Sequence, residues 1–219
     1  MKKNQIVPIP VSNLTPMLHP EEPPECSLSE DDGRVIYLHD EVTDKSASQI
    51  IRFLHQLDRH PGEIYIHLIS PGGKVEAGLA IYDAITATKN RVVVWGTGEI
   101  LSMGGVIMQA AAWRVVTPNT RLLFHNPYVS GIDGQDPMGP RDIKRLASDL
   151  EELTARNLKI LASRSGLSLR QVRSLCRRDR RIWPCEAVRL NLVDAIATTW
   201  SEPQASLPAE KADGSSGSS

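Results

Sequence analysis

Ser102 is the residue best placed by sequence to do chemistry. It stands in Leu101-Ser102-Met103-Gly104-Gly105, where a strand and a glycine turn give way to an apolar helix. A hydroxyl at a helix start lies at the positive end of the dipole, and the N–H of the next residue, Met103, faces the same space. Gly104 and Gly105 leave room for another chain to lie close. That pattern suits a nucleophile with an oxyanion donor beside it. It also suits a plain helix N-cap, the commoner job for serine.

A serine nucleophile needs a general base, and the base needs an acid that fixes its tautomer. His125 follows the apolar run Leu122-Leu123-Phe124 and precedes Asn126-Pro127. It is predicted at a strand end, where sites in α/β sheets gather. The other histidines fall in the leading arm, in or beside helices, or inside a strand. Asp179 lies among arginines after a helical stretch, and an exposed salt bridge is its ordinary alternative. Spacing and propensity do not join these residues into one site.

Ser70-Pro71-Gly72-Gly73 also follows a strand and opens a helix, so its backbone N–H groups are predicted to point outward. It lacks the Lys-Ser/Thr ending of a phosphate-binding loop, and nothing in the chain matches GxGxxG. Nucleotide binding is not expected. Cys26, Cys176 and Cys185 form no CxxC pair and have no matching histidine spacing. No metal site is expected, and a reduced cytoplasmic compartment is.

Short β-branched runs alternate with helix-period segments through the first half. Val35–Leu38 and Ile64–Ile69 read as strands, and between them Ala47, Ile50, Leu54 and Leu57 form a helical stripe that ends before Pro61-Gly62. A second helix is predicted with Val75, Leu79 and Tyr82 on its inner face. A strand at Val92–Trp95, a turn at Gly96 and Gly98, and a helix from Ser102 to Ala111 follow. This order predicts parallel strands joined by right-handed crossovers. Arg141–Ser165 is one long helical period with Ile143, Leu146, Leu150, Leu153 and Ile160 on one seam, ended by Gly166. Ser168 and Gln171 make a capping box for a shorter helix.

The 219 residues suffice for one buried domain, predicted over 34–200, with a flexible arm over 1–33 and a disordered, linker-like tail over 201–219. A net charge of −1 gives no global pull toward nucleic acid or a membrane. The basic run Arg177-Arg178-Asp179-Arg180-Arg181 reads as a solvated helix end or a subunit contact. No stretch is long enough for a secretory leader or a membrane span, so an intracellular protein is expected.

From Arg34 to Ile196 the sequence resembles the Clp proteolytic-subunit (ClpP) family. The matching pieces are Arg34–Leu38, Ser70–Gly73, Ala77–Asp83, Ser102-Met103-Gly104, His125-Asn126-Pro127, Arg178-Asp179-Arg180, Glu186-Ala187-Val188 and Leu192-Val193-Asp194, in family order. The resemblance implies an α/β fold of the ClpP/crotonase-like β-β-α superhelix kind with a protruding long handle helix. It implies Ser102 as nucleophile, His125 as base, Asp179 as third member, and oxyanion N–H groups from Gly73 and Met103. Arg178 would be the sensor that couples ring contact to the site. It further implies a homo-oligomer, a heptameric ring that a second ring can stack upon, enclosing unfolded polypeptide substrates. No cofactor is expected in this chain, since ATP is used by a partner, an AAA-type Clp unfoldase.

Departures from the family pattern carry expectations of their own. Ser130–Pro140 is longer than usual, and Pro137, Gly139 and Pro140 fall where the handle strand pairs across rings, so weakened pairing is expected. Arg177 replaces the acid beside the sensor arginine, the segment around Ala112-Trp113 is short, and His67 replaces an aromatic in the unfoldase-loop pocket. Asn191 replaces a helix-ending glycine. These changes leave open a non-proteolytic partner or scaffold subunit. An acyl-CoA enzyme on the crotonase fold is a third reading.

Overall fold

The computed structural model describes residues 33–129 and 139–198. Of the expected arm only Gly33 is described; the rest of it, the tail and Pro137 lie outside these residues. Ile64–Ser70 buries every second side chain, the period-2 pattern that makes it a strand with one face on the core. In chain order the elements are β1 (Val35–Leu38), α1 (Asp44–Leu57), β2 (Ile64–Ser70), α2 (Val75–Ala87), β3 (Val92–Leu101) and α3 (Met103–Met108). Then come β4 (Trp113–Val116), β5 (Arg121–Leu123), α4 (Pro140–Ser165), α5 (Leu169–Arg177), α6 (Pro184–Arg189) and β6 (Ala195–Ile196). The sheet order is β1-β2-β3-β4-β6 with β5 paired to β3, and every ladder is parallel. This is the α/β architecture expected from the sequence.

Local chemistry sets the helix ends. Thr43 caps α1 through a box in which its Oγ1 accepts from Ser46 N–H at 3.1 Å and Ser46 Oγ accepts from Thr43 N–H at 2.9 Å. Ser168 and Gln171 do the same for α5, as predicted. Gly166 ends α4 in the left-handed region at φ 76°, and Asn191 takes that conformation after α6 at φ 52°.

Several expectations are corrected. Gly96 and Gly98 do not form a turn, because β3 runs through them to Leu101. Gly98 (φ 62°) and a register shift opposite Leu68 and Ser70 bend the strand instead. The helix predicted from Ser102 to Ala111 is only Met103–Met108, because Ala112 N–H returns to Val92 O at 2.9 Å and starts β4. On α2 the buried line is Ala77, Gly78, Ile81 and Ile85, whereas Val75, Leu79 and Tyr82 are half-buried. That helix is wedged between α1 and α3, so its small residues face the tightest contact. A Cβ at Gly78 would meet Met103 Cβ and Cγ at 3.2 and 3.3 Å. Gly139 and Pro140 belong to no strand: they are the N-cap and first residue of α4, with Asp142 Oδ2 accepting from Gly139 N–H at 3.1 Å.

Among the described residues the long helix is held mainly at its C-terminal end. Asn157, Leu158, Leu161 and Ser165 are buried, and α4 packs there on α3 and α5. Further back along the predicted seam, Ile143 is 56% exposed, and Leu146, Leu150 and Leu153 are half-buried. Among the described residues, no other element packs on this N-terminal part of its apolar seam.

β4 was hidden by its charge. Arg114 is 1% exposed in the middle of this strand. Its Nη2 and Nε bond Asp194 Oδ1 and Oδ2 at 2.7 and 2.9 Å. Nη1 donates to Gln109 Oε1 at 2.6 Å and Asn191 O at 3.0 Å.

On the opposite sheet face, His39 Nε2 lies 3.0 Å from His67 Nδ1, and His67 Nε2 lies 3.0 Å from Thr97 Oγ1. Burial lowers the His39 pKa, and burial together with the His39 charge pushes His67 down to about 4. Unfolded, both titrate near 6.5. Below that pH the unfolded chain takes up protons that the folded chain refuses, so stability falls as pH drops. The fall ends near pH 4, where His67 itself protonates. With partial exposure the loss should be on the order of 2 kcal/mol. In thermal melts across this range, His67→Phe should flatten the decline; an unchanged slope would show that the pair does not set it.

Candidate active site

β3 ends at Leu101, and Ser102 is the next residue, at the N-cap position of α3. Its Oγ caps nothing, so the N-cap role is not what the side chain does. Its backbone sits at φ 53°, ψ −119°, a conformation costly for any residue with a Cβ. Ser102 N–H is held by Leu123 O at 2.8 Å. Ser102 and Asp179 (φ 47°) are two of the three non-glycine residues at positive φ among those described; the other is Asn191.

Two registers bring the predicted residues toward one place. Leu101 pairs with Leu123 in the parallel β3–β5 ladder, so Ser102 and the residues just after β5 leave the sheet together. Leu122 also bridges Ile182 in antiparallel fashion, with both backbone bonds made, at 3.0 and 2.7 Å. His125 and Asp179 each lie three residues beyond this single bridge, and Asp179 at φ 47° is not extended, so no ladder carries the pairing as far as the two of them. Arg178 is the exposed C-cap of α5, immediately before Asp179.

The side chains are not linked as a triad in the chain alone. His125 Nδ1 lies 2.9 Å from the neighbouring Asn126 O, and its ring packs on Tyr128 with centroids 5.4 Å apart. Among the described residues no hydrogen bond joins Ser102, His125 and Asp179. The thiol of Cys176 offers no rival nucleophile, since burial pushes its pKa up to about 11.

The glycine turn lies against this corner. Val42 N–H donates to Gly72 O and Lys74 N–H donates to Val42 O, both at 2.7 Å. In a parallel bridge of this kind the intervening Gly73 turns its own N–H and C=O the other way. A Cβ at Gly72 would meet Ser102 Cβ at 2.5 Å and Met103 N at 3.1 Å, so the turn touches the start of α3. Met103 N–H is a donor of the first helical turn, and among the described residues it has no hydrogen-bond partner. Sequence reasoning did not single out Ser70, whose buried Oγ donates to Asp40 O at 2.7 Å and accepts from Gly72 N–H at 3.1 Å. A serine ending a strand just before Pro-Gly-Gly was the available signal.

Comparison with known proteins fits this geometry. The Clp protease family model matches residues 29–200. The fold is similar to that of a mutant ClpP1 from Listeria monocytogenes, with a TM-score of 0.68 and 28% identity over 78% of this chain and 94% of that one. The family match runs through every described element, from β1 to β6. On that match and the shared fold, this chain belongs to the Clp protease family as a ClpP-type peptidase.

Proposed function

We propose that the chain is a serine endopeptidase acting on unfolded polypeptides through an acyl-enzyme, with Ser102 as nucleophile, His125 as base and Asp179 as its orienting acid. The observation that carries this reading is the convergence of the Leu101–Leu123 and Leu122–Ile182 registers on one corner. The strained Ser102 backbone and its unspent hydroxyl add support. Ser102 Oγ attacks the scissile carbonyl carbon as His125 takes its proton. The carbonyl electron pair moves onto oxygen, held by the N–H groups of Gly73 and Met103. Collapse breaks the C–N bond, and His125 returns the proton to the leaving amine. Water, deprotonated by His125, then adds to the acyl carbon; the bond to Ser102 Oγ breaks, His125 returns the proton to that oxygen, and the peptide acid leaves. One oxyanion donor in comparable enzymes is worth about 100- to 1,000-fold in rate.

The chemistry draws on no cofactor of this chain; ATP would be consumed by a separate AAA-type unfoldase that feeds substrate in the cytoplasm. Assembly into a heptameric ring, alone or stacked on a second, is supported by the uncovered seam of α4. Among the described residues no helix is long and apolar enough to cross a membrane. A second reading, a non-proteolytic subunit of a mixed ring, is favoured by one observation: His125 Nδ1 faces Asn126 O rather than Asp179. In the first reading assembly turns that ring.

A fluorophosphonate probe should label the assembled native protein and leave Ser102→Ala unlabelled. A folded, ring-forming native protein that takes no label sinks the peptidase reading. Mixed rings with an active relative, seen by native mass measurement, would then support the second.

A further inference from the structure

One buried hydroxyl ties down both sides of the glycine turn. Ser70 ends β2 and is fully buried. Its Oγ donates to Asp40 O at 2.7 Å and accepts from Gly72 N–H at 3.1 Å. Asp40 lies two residues before Val42 in the β1–α1 connection, and Val42 bridges Gly73 in parallel. Ser70 is therefore bonded to both segments of that bridge. Among the described residues it is the one side chain that hydrogen-bonds Gly72 or Gly73. It also lies against α3, since a Cβ at Gly104 would meet Ser70 Cβ at 3.3 Å and Ser70 O at 3.4 Å. Ser70 thus sits between the elements that carry the two proposed oxyanion donors, Gly73 and Met103.

Torsional preference does not set the direction of this turn. Gly72 and Gly73 stand at φ 94° and 144°, where glycine rotates at little steric cost. Neither can take a side chain: a Cβ at Gly72 would meet Ser102 Cβ at 2.5 Å, and one at Gly73 would run into Val42 O. Hydrogen bonds must therefore aim the peptides. Gly72 O and Gly73 N–H belong to one planar trans unit and point opposite ways. Val42 N–H holds that oxygen at 2.7 Å, which turns the Gly73 N–H outward, and among the described residues that N–H has no partner. The peptide before it is held at Gly72 N–H by Ser70 Oγ. Released there, Gly72 could rotate, and the Gly73 N–H would swing with it.

We propose that Ser70 is a positioning residue of the peptidase: its hydroxyl braces the Gly72–Gly73 turn and so aims the Gly73 N–H at the carbonyl oxygen under attack. The inference rests on the serine-peptidase reading above. Being fully buried, Ser70 acts through Gly73 and not on the substrate. The oxyanion forms only on the way to the transition state, so poor aim lowers kcat and leaves KM alone. Losing a donor outright is worth about 100- to 1,000-fold, and a donor kept but loosely aimed should cost about 10- to 100-fold.

Steady-state hydrolysis of a short peptide by the assembled full chain, with amide exchange followed by mass spectrometry, tests this. In Ser70→Ala, kcat should fall about 10- to 100-fold while KM stays within about threefold. A peptide aldehyde, which Ser102 would turn into a tetrahedral adduct, should bind more weakly by about the same factor as kcat. Exchange at Gly72 should quicken. Ser165→Ala is the matched control, because that buried Oγ also donates to a carbonyl, Leu161 O, and accepts from an N–H two residues on, that of Leu167. It should keep kcat within about twofold. If Ser70→Ala does not fold, Ser70→Cys, whose thiol bonds weakly, takes its place with the same direction of change. A kcat within about threefold of native, or a loss matched by Ser165→Ala, would overturn the proposal. A native protein that hydrolyses nothing defeats the peptidase reading instead; exchange then decides the brace, which stands if Ser70→Ala quickens Gly72 and falls if it does not.

Discussion

His125→Ala should lower peptide hydrolysis by the assembled protein by on the order of 10⁴- to 10⁶-fold. The loss should be no greater in Ser102→Ala/His125→Ala, because members of one proton-relay unit do not contribute additively. His125 is half-buried and, among the described residues, its ring bonds only the adjacent Asn126 O, so the melting temperature should barely move. A large loss of rate with an intact fold is the signature of a base. A variant that keeps more than a tenth of the native rate would remove His125 from the mechanism. Asp179→Asn should fall less far, about 10⁴-fold, since it leaves a base with the wrong tautomer.

The largest stability effect is expected at Asp194. Its carboxylate takes Arg114 Nη2, Nε and backbone N–H at 2.7, 2.9 and 2.8 Å. Asp194→Ala leaves a guanidinium that is 1% exposed without its counter-charge. The cost should be about 3 to 5 kcal/mol, or roughly 10 °C in Tm for a domain of this size. Arg114→Met/Asp194→Leu should be destabilised by less than the sum of the single variants, since no charge is then stranded. Burial alone would raise the Asp194 pKa, but the hydrogen bonds and charge of Arg114 outweigh it and hold the carboxyl below the usual 3.8. The pair's stability is therefore full above that pH and lost as pH falls through the lowered value. Calorimetry showing Asp194→Ala within 1 kcal/mol of native would contradict this account.

Where burial pattern and local caps act together, the sequence was transparent. β1, β2, α1 and the Ser168–Gln171 start of α5 follow from alternation, the Ala47–Leu54 stripe and side-chain oxygens at fixed spacing. Where tertiary contacts decide, it was opaque. β3 passes through two glycines because β4 pairs with its first half and β5 with its second, a division no local pattern encodes. β4 escaped notice because a buried arginine interrupts its apolar run, and its partners Gln109, Asn191 and Asp194 are distant or unremarkable in sequence. The candidate site lies between these cases. Ser102, His125 and Asp179 could be picked out only through family motifs, because the pairings near them, Leu101 with Leu123 and Leu122 with Ile182, join remote segments. The unlinked side chains of the separate chain were not legible at all, since they depend on how a half-buried ring settles beside Asn126 and Tyr128.

The backbone at Ser102 has a consequence for how this sequence changes over generations. At φ 53° a glycine would relieve strain on the order of 1 to 2 kcal/mol. One codon change from serine would thus give a more stable chain with no hydroxyl to offer. On the proposed mechanism the hydroxyl is therefore held at a cost in stability, one that a chain with no use for it would shed.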